Sequence, residues 1–166
     1  MQIILSHSFT QSLPKEQILS QGSEKAAGYD LFLCQKVSPA GIFEDFENFS
    51  LFPNQAQKFT TGLRIFIEDR FIVGKIYPRS GKGSLGIVLG NLTGIIDADY
   101  TGEIILSIWN RSEDAVTLTR GEKVAQILFE SVYHPDFEFV SEFSAATKRG
   151  QGGYGSSGSG VYDRIK

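Results

Sequence analysis

Breaker spacing constrains this chain more than any other feature. Gly, Pro, Asn and Asp interrupt its apolar stretches every few residues, and long helical periodicity is nearly absent. Residues 60–67, Thr-Thr-Gly-Leu-Arg-Ile-Phe-Ile, alternate well enough for a half-buried strand. Residues 71–77 and 104–109 read the same way, and Val116-Thr117-Leu118 is a shorter candidate. Residues 123–130 form an apolar run that periodicity alone leaves open; we read it as strand. Short strands punctuated at this spacing predict an all-β sandwich or barrel. The 18 glycines, 13 phenylalanines and 6 tyrosines agree with that. Residues 41–58 are predicted as an irregular acidic-aromatic loop with one short helical turn.

A chain of 166 residues is about one domain and can bury a core without disulfide or metal staples. The longest apolar runs fall far short of the ~20 residues a membrane helix needs, so no membrane partner is expected. The opening MQIILSHSFT has no basic leader or long apolar stretch, so no secretory signal is expected. Cys34 is the only cysteine, which excludes an intrachain disulfide and favours a reducing compartment. We expect a cytoplasmic protein, or a nuclear one in a eukaryotic or viral setting. A net charge of −3 argues against a nucleic-acid partner engaged over the whole surface. It leaves room for a small anion held by a few local cations. Residues 149–160 hold six glycines and three serines, and such a segment has a large ordering entropy and little to bury. The expected division is a β domain at 1–143 and a mobile arm at 144–166.

Five clusters carry chemistry. Ala26-Ala27-Gly28-Tyr29-Asp30-Leu31 sets a carboxylate at a strand start; alone it reads as a turn with a solvated Asp. In Pro78-Arg79-Ser80-Gly81-Lys82-Gly83-Ser84, glycines let the backbone approach a ligand while Arg79, Ser80 and Lys82 offer donors to an anion. It is not a Walker loop, because Gly83 follows Lys82 and position 76 is Ile. Gly90 to Glu103 reads as a hairpin carrying Asn91, Asp97, Asp99 and Tyr100. Either aspartate suits a general base or a metal contact, and Tyr100 suits stacking on a flat or ring-shaped ligand. Arg120 to Ile127 alone is a turn and a strand. Arg149 to Gly158 contains a literal Gly-x-Gly-x-x-Gly, but no βαβ unit surrounds it, so it is no dinucleotide fingerprint.

The order of these clusters is more specific than any one of them. Gly-Tyr-Asp, Pro-Arg-Ser-Gly, Gly-Asn…Gly-Ile-Ile-Asp-Ala-Asp-Tyr-x-Gly-Glu, Arg-Gly-Glu-Lys-x-Ala-Gln and Arg-Gly-x-Gly-Gly-Tyr-Gly-Ser follow one another over residues 26–158. This succession resembles the five-motif pattern of the trimeric deoxyuridine triphosphatase (dUTPase) family. The resemblance implies a jelly-roll-like β-barrel or sandwich and a homotrimer with active sites at subunit interfaces. It implies hydrolysis of dUTP to dUMP and diphosphate, with magnesium on the triphosphate.

By the same resemblance, Asp97 would orient and activate the attacking water. Asn91 and the backbone of Gly94, Ile95 and Ile96 would read uracil, and Tyr100 would lie under the deoxyribose. Arg79, Ser80, Gly81 and Gln126 would hold phosphates, and Asp30 would hold magnesium through water. Arg149 would grip the terminal phosphate. Tyr154, with Gly155 and Ser156, would close over the base from a third subunit's arm. Tyr154 stands where the family usually has Phe. Residues 82–85 run about one residue short of the family's usual segment, and the 41–58 loop looks longer than in compact members. Two alternatives stay open on the sequence: a dCTP deaminase of the same fold, and a catalytically silent regulatory protein. His7 and His134 have no spacing partners and read as surface or structural histidines. Trp109 reads as core or trimer interface, Cys34 as a small buried hydrophobe, and Glu44, Asp45 and Glu47 as a solvated face.

Overall fold

The computed structural model describes residues 1–151. They divide into a unit at Met1–His134 and a unit beginning at Pro135. The first opens with β1 (Gln2–Leu5) and a short helix α1 (Ser8–Ser12), then β2 (Tyr29–Phe32), β3 (Lys36–Val37), β4 (Phe43–Glu44) and β5 (Asn48–Leu51). The long β6 (Ala56–Phe66) and β7 (Ile72–Pro78) lead to a second short helix, α2 (Ser80–Ser84). The unit closes with β8 (Ile87–Leu89), β9 (Gly94–Ile96), β10 (Glu103–Asn110), β11 (Val116–Thr119) and β12 (Lys123–Ser131). Residues 135–151 of the second unit carry bends and turns without a strand or helix.

Strands β4-β3-β6-β10-β8 form one sheet with β1 added to β6, and β2-β12-β7-β9 form another. A β11-β5 pair completes the structure. These sheets make the sandwich expected from the breaker spacing, in the jelly-roll class that the resemblance implied; they end in edge strands and do not close a barrel.

Alternation builds the core. In β10, Ile104, Leu106 and Ile108 are buried, while Ile105, Ser107 and Trp109 face outward and are exposed or half-buried. The inward set meets Leu31, Leu33, Leu51, Phe59, Leu63, Ile65, Ile87, Leu89 and Leu118 in one cluster. Truncating any of these to Ala costs about 2–5 kcal/mol. β6 departs from alternation, with Phe59 to Leu63 all buried. Its second face is covered by α1, whose Thr10 hydroxyl donates to the Gly62 carbonyl at 3.2 Å. Gly62 sits at φ +69, and a Cβ there would strike Thr10, so only glycine fits this contact.

The strands expected at 60–67, 71–77, 104–109, 116–118 and 123–130 are all present, with ends shifted by a few residues. Two expectations need correction. Residues 41–58 contain no helical turn; they supply β4, β5 and the start of β6. Acidic residues there obscured the inward set, because Phe46 and Phe49 pack on Phe59 with ring centroids at 5.2 and 5.7 Å. Nor is Gly90 to Glu103 a simple hairpin. β8 and β10 do pair, with Ile108 opposite Leu89. The intervening β9 leaves them and pairs with β7 in the other sheet.

Candidate active site

β7 organises the chemistry, because different clusters sit at its two ends. Along its middle, β9 runs antiparallel to it, with Ile96 opposite Gly74 and Gly94 opposite Ile76. The packing is close at both crossing points. A Cβ on Gly94 would lie 3.1 Å from Ile76 Cβ, and one on Gly74 would lie 3.2 Å from Ile96 Cβ. β9 is the last strand of its sheet, so its far edge presents backbone groups without a strand partner.

Asp97 follows β9 directly, one residue past the Ile96–Gly74 pair. It lines an open pocket of about 470 Å³ with Ile95, Ala98, Asp99, Ile72, Val73 and residues 68, 70, 132 and 134. Among the described residues its carboxylate has no ion-pair partner. The Tyr100 N–H donates to the Asp97 carbonyl at 3.1 Å and closes the turn. The Tyr100 hydroxyl donates to the Glu103 carbonyl at 2.8 Å, laying the ring over Gly102. A Cβ at position 102 would sit 2.6 Å from Tyr100 Cζ. Asn91 lies exposed on the turn before β9, and its side-chain amide reaches the Thr93 carbonyl only at 3.5 Å. Leu92 beside it holds φ +65 and is exposed. This conformation costs a branched side chain about 1–2 kcal/mol, and such strain concentrates at ligand-contacting turns.

At the far end of β7, Pro78 ends the strand and Arg79 caps α2. Arg79, Ser80, Gly81, Lys82, Leu85 and Lys123 line a second pocket of about 350 Å³. The segment 82–85 is thus part of one helical turn and the residue after it. Arg79 is anchored from two sides. Its Nε lies 3.0 Å from Asp30 Oδ1, and its backbone N–H donates to the Val124 carbonyl at 3.2 Å. Asp30 is buried on β2 and also takes Lys123 Nζ on Oδ2 at 3.1 Å. Lys82 is held by Glu122. Three cations and two carboxylates leave this pocket net positive, which suits a polyanion.

Gln126 on β12 stands opposite both Asp30 and Tyr77. It donates to the Pro78 carbonyl at 3.3 Å, and its amide lies across Gly28, where a Cβ would collide with it. The structure therefore brings Asp30, Arg79, Ser80, Gly81 and Gln126 to one end of β7, lays Gly94, Ile95 and Ile96 along its middle, and carries Asp97 on toward its start. Arg149 lies on a turn in which the Gly150 N–H donates to the Thr147 carbonyl at 3.1 Å. Tyr154, Gly155 and Ser156 lie outside the described residues.

Sequence reasoning missed Lys123, because Arg120 to Ile127 read as an ordinary turn and strand. The available signal was two successive small apolar residues, Val124 and Ala125, where a regular strand would alternate. Both are buried, and the register slips between Lys123 and Ala125. The expected readings of Cys34 and the histidines hold. Cys34 is a buried free thiol, and burial, followed by the nearby Glu103 charge, pushes its pKa up to about 11. His7 caps α1 by accepting the Phe9 N–H at 3.0 Å, and His134 bonds the Arg70 carbonyl at 2.8 Å.

The donor set bears on metal. No group of three or more His, Cys, Asp or Glu side chains that could hold an ion exists among the described residues. Asp30 is a single carboxylate between two cations. That set fits a hydrated magnesium ion delivered on phosphate oxygens, since magnesium keeps several waters and takes few protein carboxylates. It does not fit a resident all-protein site.

Comparison with known proteins follows the same line. The dUTPase family model matches residues 15–158. A deoxyuridine 5'-triphosphate nucleotidohydrolase of Psychrobacter cryohalolentis is 54% identical over 99 residues, a stretch covering 59% of this chain and 64% of that relative. The enzyme of that name from Legionella pneumophila strain Paris is 40% identical over 156 residues, 93% of each chain. Among solved structures, a dUTPase of Staphylococcus bacteriophage 80alpha with dUpNHpp superposes with a TM-score of 0.74. It covers 95% of this chain and 98% of the phage chain at 23% identity, a likeness of fold. With a family match over most of its length and a 40% identical relative spanning nearly all of it, the chain belongs to the dUTPase family.

Proposed function

We infer that the protein is a dUTP diphosphatase, hydrolysing dUTP to dUMP and diphosphate, which removes a source of uracil in DNA and supplies dUMP for thymidylate synthesis. The observation that carries this reading is the pairing of an unneutralised Asp97 carboxylate at an open pocket with a separate cationic pocket around Arg79. Water accepts orientation from Asp97, gives up a proton to it, and attacks the α-phosphorus in line. The phosphorus–oxygen bond to the diphosphate breaks as the new bond forms. This chemistry needs positioning and charge neutralisation rather than a covalent nucleophile. Arg79, Ser80, Gly81 and Gln126 bind the phosphates, and Arg149 grips the terminal one.

Uracil selection fits the free edge of β9. Backbone groups of Gly94, Ile95 and Ile96, with Asn91, offer a fixed donor and acceptor pattern. Cytosine entering such a site leaves polar groups unmatched, which costs far more than a lost apolar contact. Tyr100, held over Gly102, lies against the sugar and leaves no room for a 2′-hydroxyl. Asp30 would hold a magnesium ion through its waters, and the ion would supply charge neutralisation to the triphosphate.

The same geometry supports a homotrimer with shared sites. Asp97 comes one residue past the Ile96–Gly74 pair, and Arg79 follows the far end of β7, five residues beyond Gly74, so the two backbones are separated by about 15–20 Å at ~3.3 Å per residue. That separation favours a site completed by a second copy. A second copy brings its Arg79 end to the first copy's Asp97 end, and a third contributes its arm, with Tyr154, Gly155 and Ser156 covering the base. We assign residues 144–166 to that arm and 1–143 to the body. No described helix is long and apolar enough to cross a membrane. A buried free thiol suits the reducing cytoplasm.

Hydrolysis in ¹⁸O-labelled water tests the point of attack. Label in dUMP and none in diphosphate is expected; label in diphosphate would move the attack to the β-phosphorus and leave Asp97 without a water to activate at the α-phosphorus.

A further inference from the structure

A bulge in β12 sets up an interaction that the five motifs do not explain. Lys123 stands opposite Phe32, Ala125 opposite Leu31 and Gln126 opposite Asp30. Two steps on β12 therefore match one step on β2, so Val124 is an extra residue. Val124 and Ala125 both turn inward and are buried. Residues three apart on a regular strand face opposite sides. Here the bulge returns Lys123 to the face of Gln126 and Asp30, where its ammonium reaches Asp30 Oδ2 at 3.1 Å. The extra residue is used as well, because the Val124 carbonyl accepts the Arg79 backbone N–H and the Lys123 carbonyl accepts Arg79 Nη1 at 3.4 Å.

We propose that Lys123 is a positioning residue for the phosphate pocket: it holds Asp30, and Asp30 holds the Arg79 guanidinium in the orientation that receives the triphosphate. This rests on the dUTP reading and names a residue that reading does not use. Asp30 divides its two oxygens between the two cations, Oδ1 to Arg79 and Oδ2 to Lys123. Lys123 Nζ also donates to Ser20 Oγ at 2.7 Å, which fixes the ammonium from the far side. Without Lys123, the buried carboxylate would draw more of the guanidinium to itself. With Lys123 sharing the charge, Arg79 spends its Nε–H on Asp30 and one Nη1 donor on the Lys123 carbonyl. Three of its five N–H donors then remain for an anion. A buried acid between two bases is costly to leave half-paired, so the three side chains behave as one unit. Lys82 is tied to Glu122 instead and lies outside this unit.

The test uses the full-length protein and two readouts. One is dUTP turnover; the other is calorimetric affinity for inorganic tripolyphosphate without metal. Lys123→Ala is expected to raise KM for dUTP and weaken tripolyphosphate binding by about tenfold, as for loss of an organised charge-assisted contact. Its kcat should change much less. Lys123→Arg should restore both, and Lys123→Met, which keeps the apolar stem, should not. In an Asp30→Asn background, where there is no carboxylate to hold, Lys123→Ala should have little further effect. Unchanged KM and tripolyphosphate affinity in a folded Lys123→Ala protein would overturn the proposal. So would a tenfold loss that persists in full beside Asp30→Asn, since Lys123 would then act on the anion directly. Absence of dUTP turnover in the wild-type protein would contradict the dUTPase reading instead, and the tripolyphosphate arm would still decide the role of Lys123.

Discussion

At the residue scale, Asp97 has the most exacting position. It follows an edge strand, lines an open pocket and lacks a neutralising partner among the described residues. Asp97→Asn should keep dUTP affinity while lowering kcat by roughly 10²–10⁴, the usual contribution of a positioned base. Equilibrium binding and single-turnover kinetics separate the two effects, and wild-type kcat in that variant would remove Asp97 from the chemistry. Asp45 makes a different prediction. Its carboxylate is held below the usual 3.8, first by the Gln35 side-chain hydrogen bond and then by Arg120 and His7. The folded value lies below the unfolded one, so the stabilisation is present above about pH 4 and fades as pH falls through the folded value. Thermal melts from pH 6 to 2 should fall more steeply for wild type than for Asp45→Asn; parallel curves would show that the carboxylate contributes nothing. Cys34, with its thiol near 11, should stay unreactive toward a thiol reagent at pH 8 until the protein is unfolded.

Elements show where sequence reasoning succeeded and where it could not. β10 was legible because its inward set, Ile104, Leu106 and Ile108, belongs to an apolar run bounded by turn-favouring residues. β5 was not, because its inward Phe49 and Leu51 are interleaved with Asn48 and Ser50 after an acidic stretch, and its partner β11 is over sixty residues away. β9 was read as part of a hairpin turn, and its pairing with β7 in place of β8 is a tertiary contact, closely packed at Gly74 and Gly94. The candidate site follows the same division. Arg79, Ser80, Gly81 and Asp97 stood out in the motif order, but their separation along β7 is a property of the sheet. The bulge that turns Lys123 toward Asp30 left only a doubled apolar pair as its trace. A mutation at Gly102 tests the role of this segment. Gly102→Ala would push the Tyr100 ring from its seat, so discrimination of dUTP over UTP should fall by about tenfold, a loss typical of one specificity contact. Intact discrimination would show that Tyr100 does not set the sugar preference.

For the whole molecule, the proposal of shared sites rests on the separation of Asp97 and Arg79 along β7. Mixing inactive Asp97→Asn and Arg79→Ala chains, after dissociation and reassembly, should restore about a quarter of wild-type activity. In random trimers, half the sites draw a good Asp97 and half of those a good Arg79 from the neighbour. Activity absent from the mixture, with mixed trimers verified by mass, would contradict a shared site. Deleting residues 149–166 should leave a folded assembly of the same size with poor turnover. The most direct test of the dUTPase mechanism is diphosphate release from dUTP, dTTP, dCTP and UTP, each with magnesium and with a chelator. Release from dUTP alone, weakened by chelation, is the expected result. Comparable release from dCTP or UTP, or none from any of the four, would contradict it.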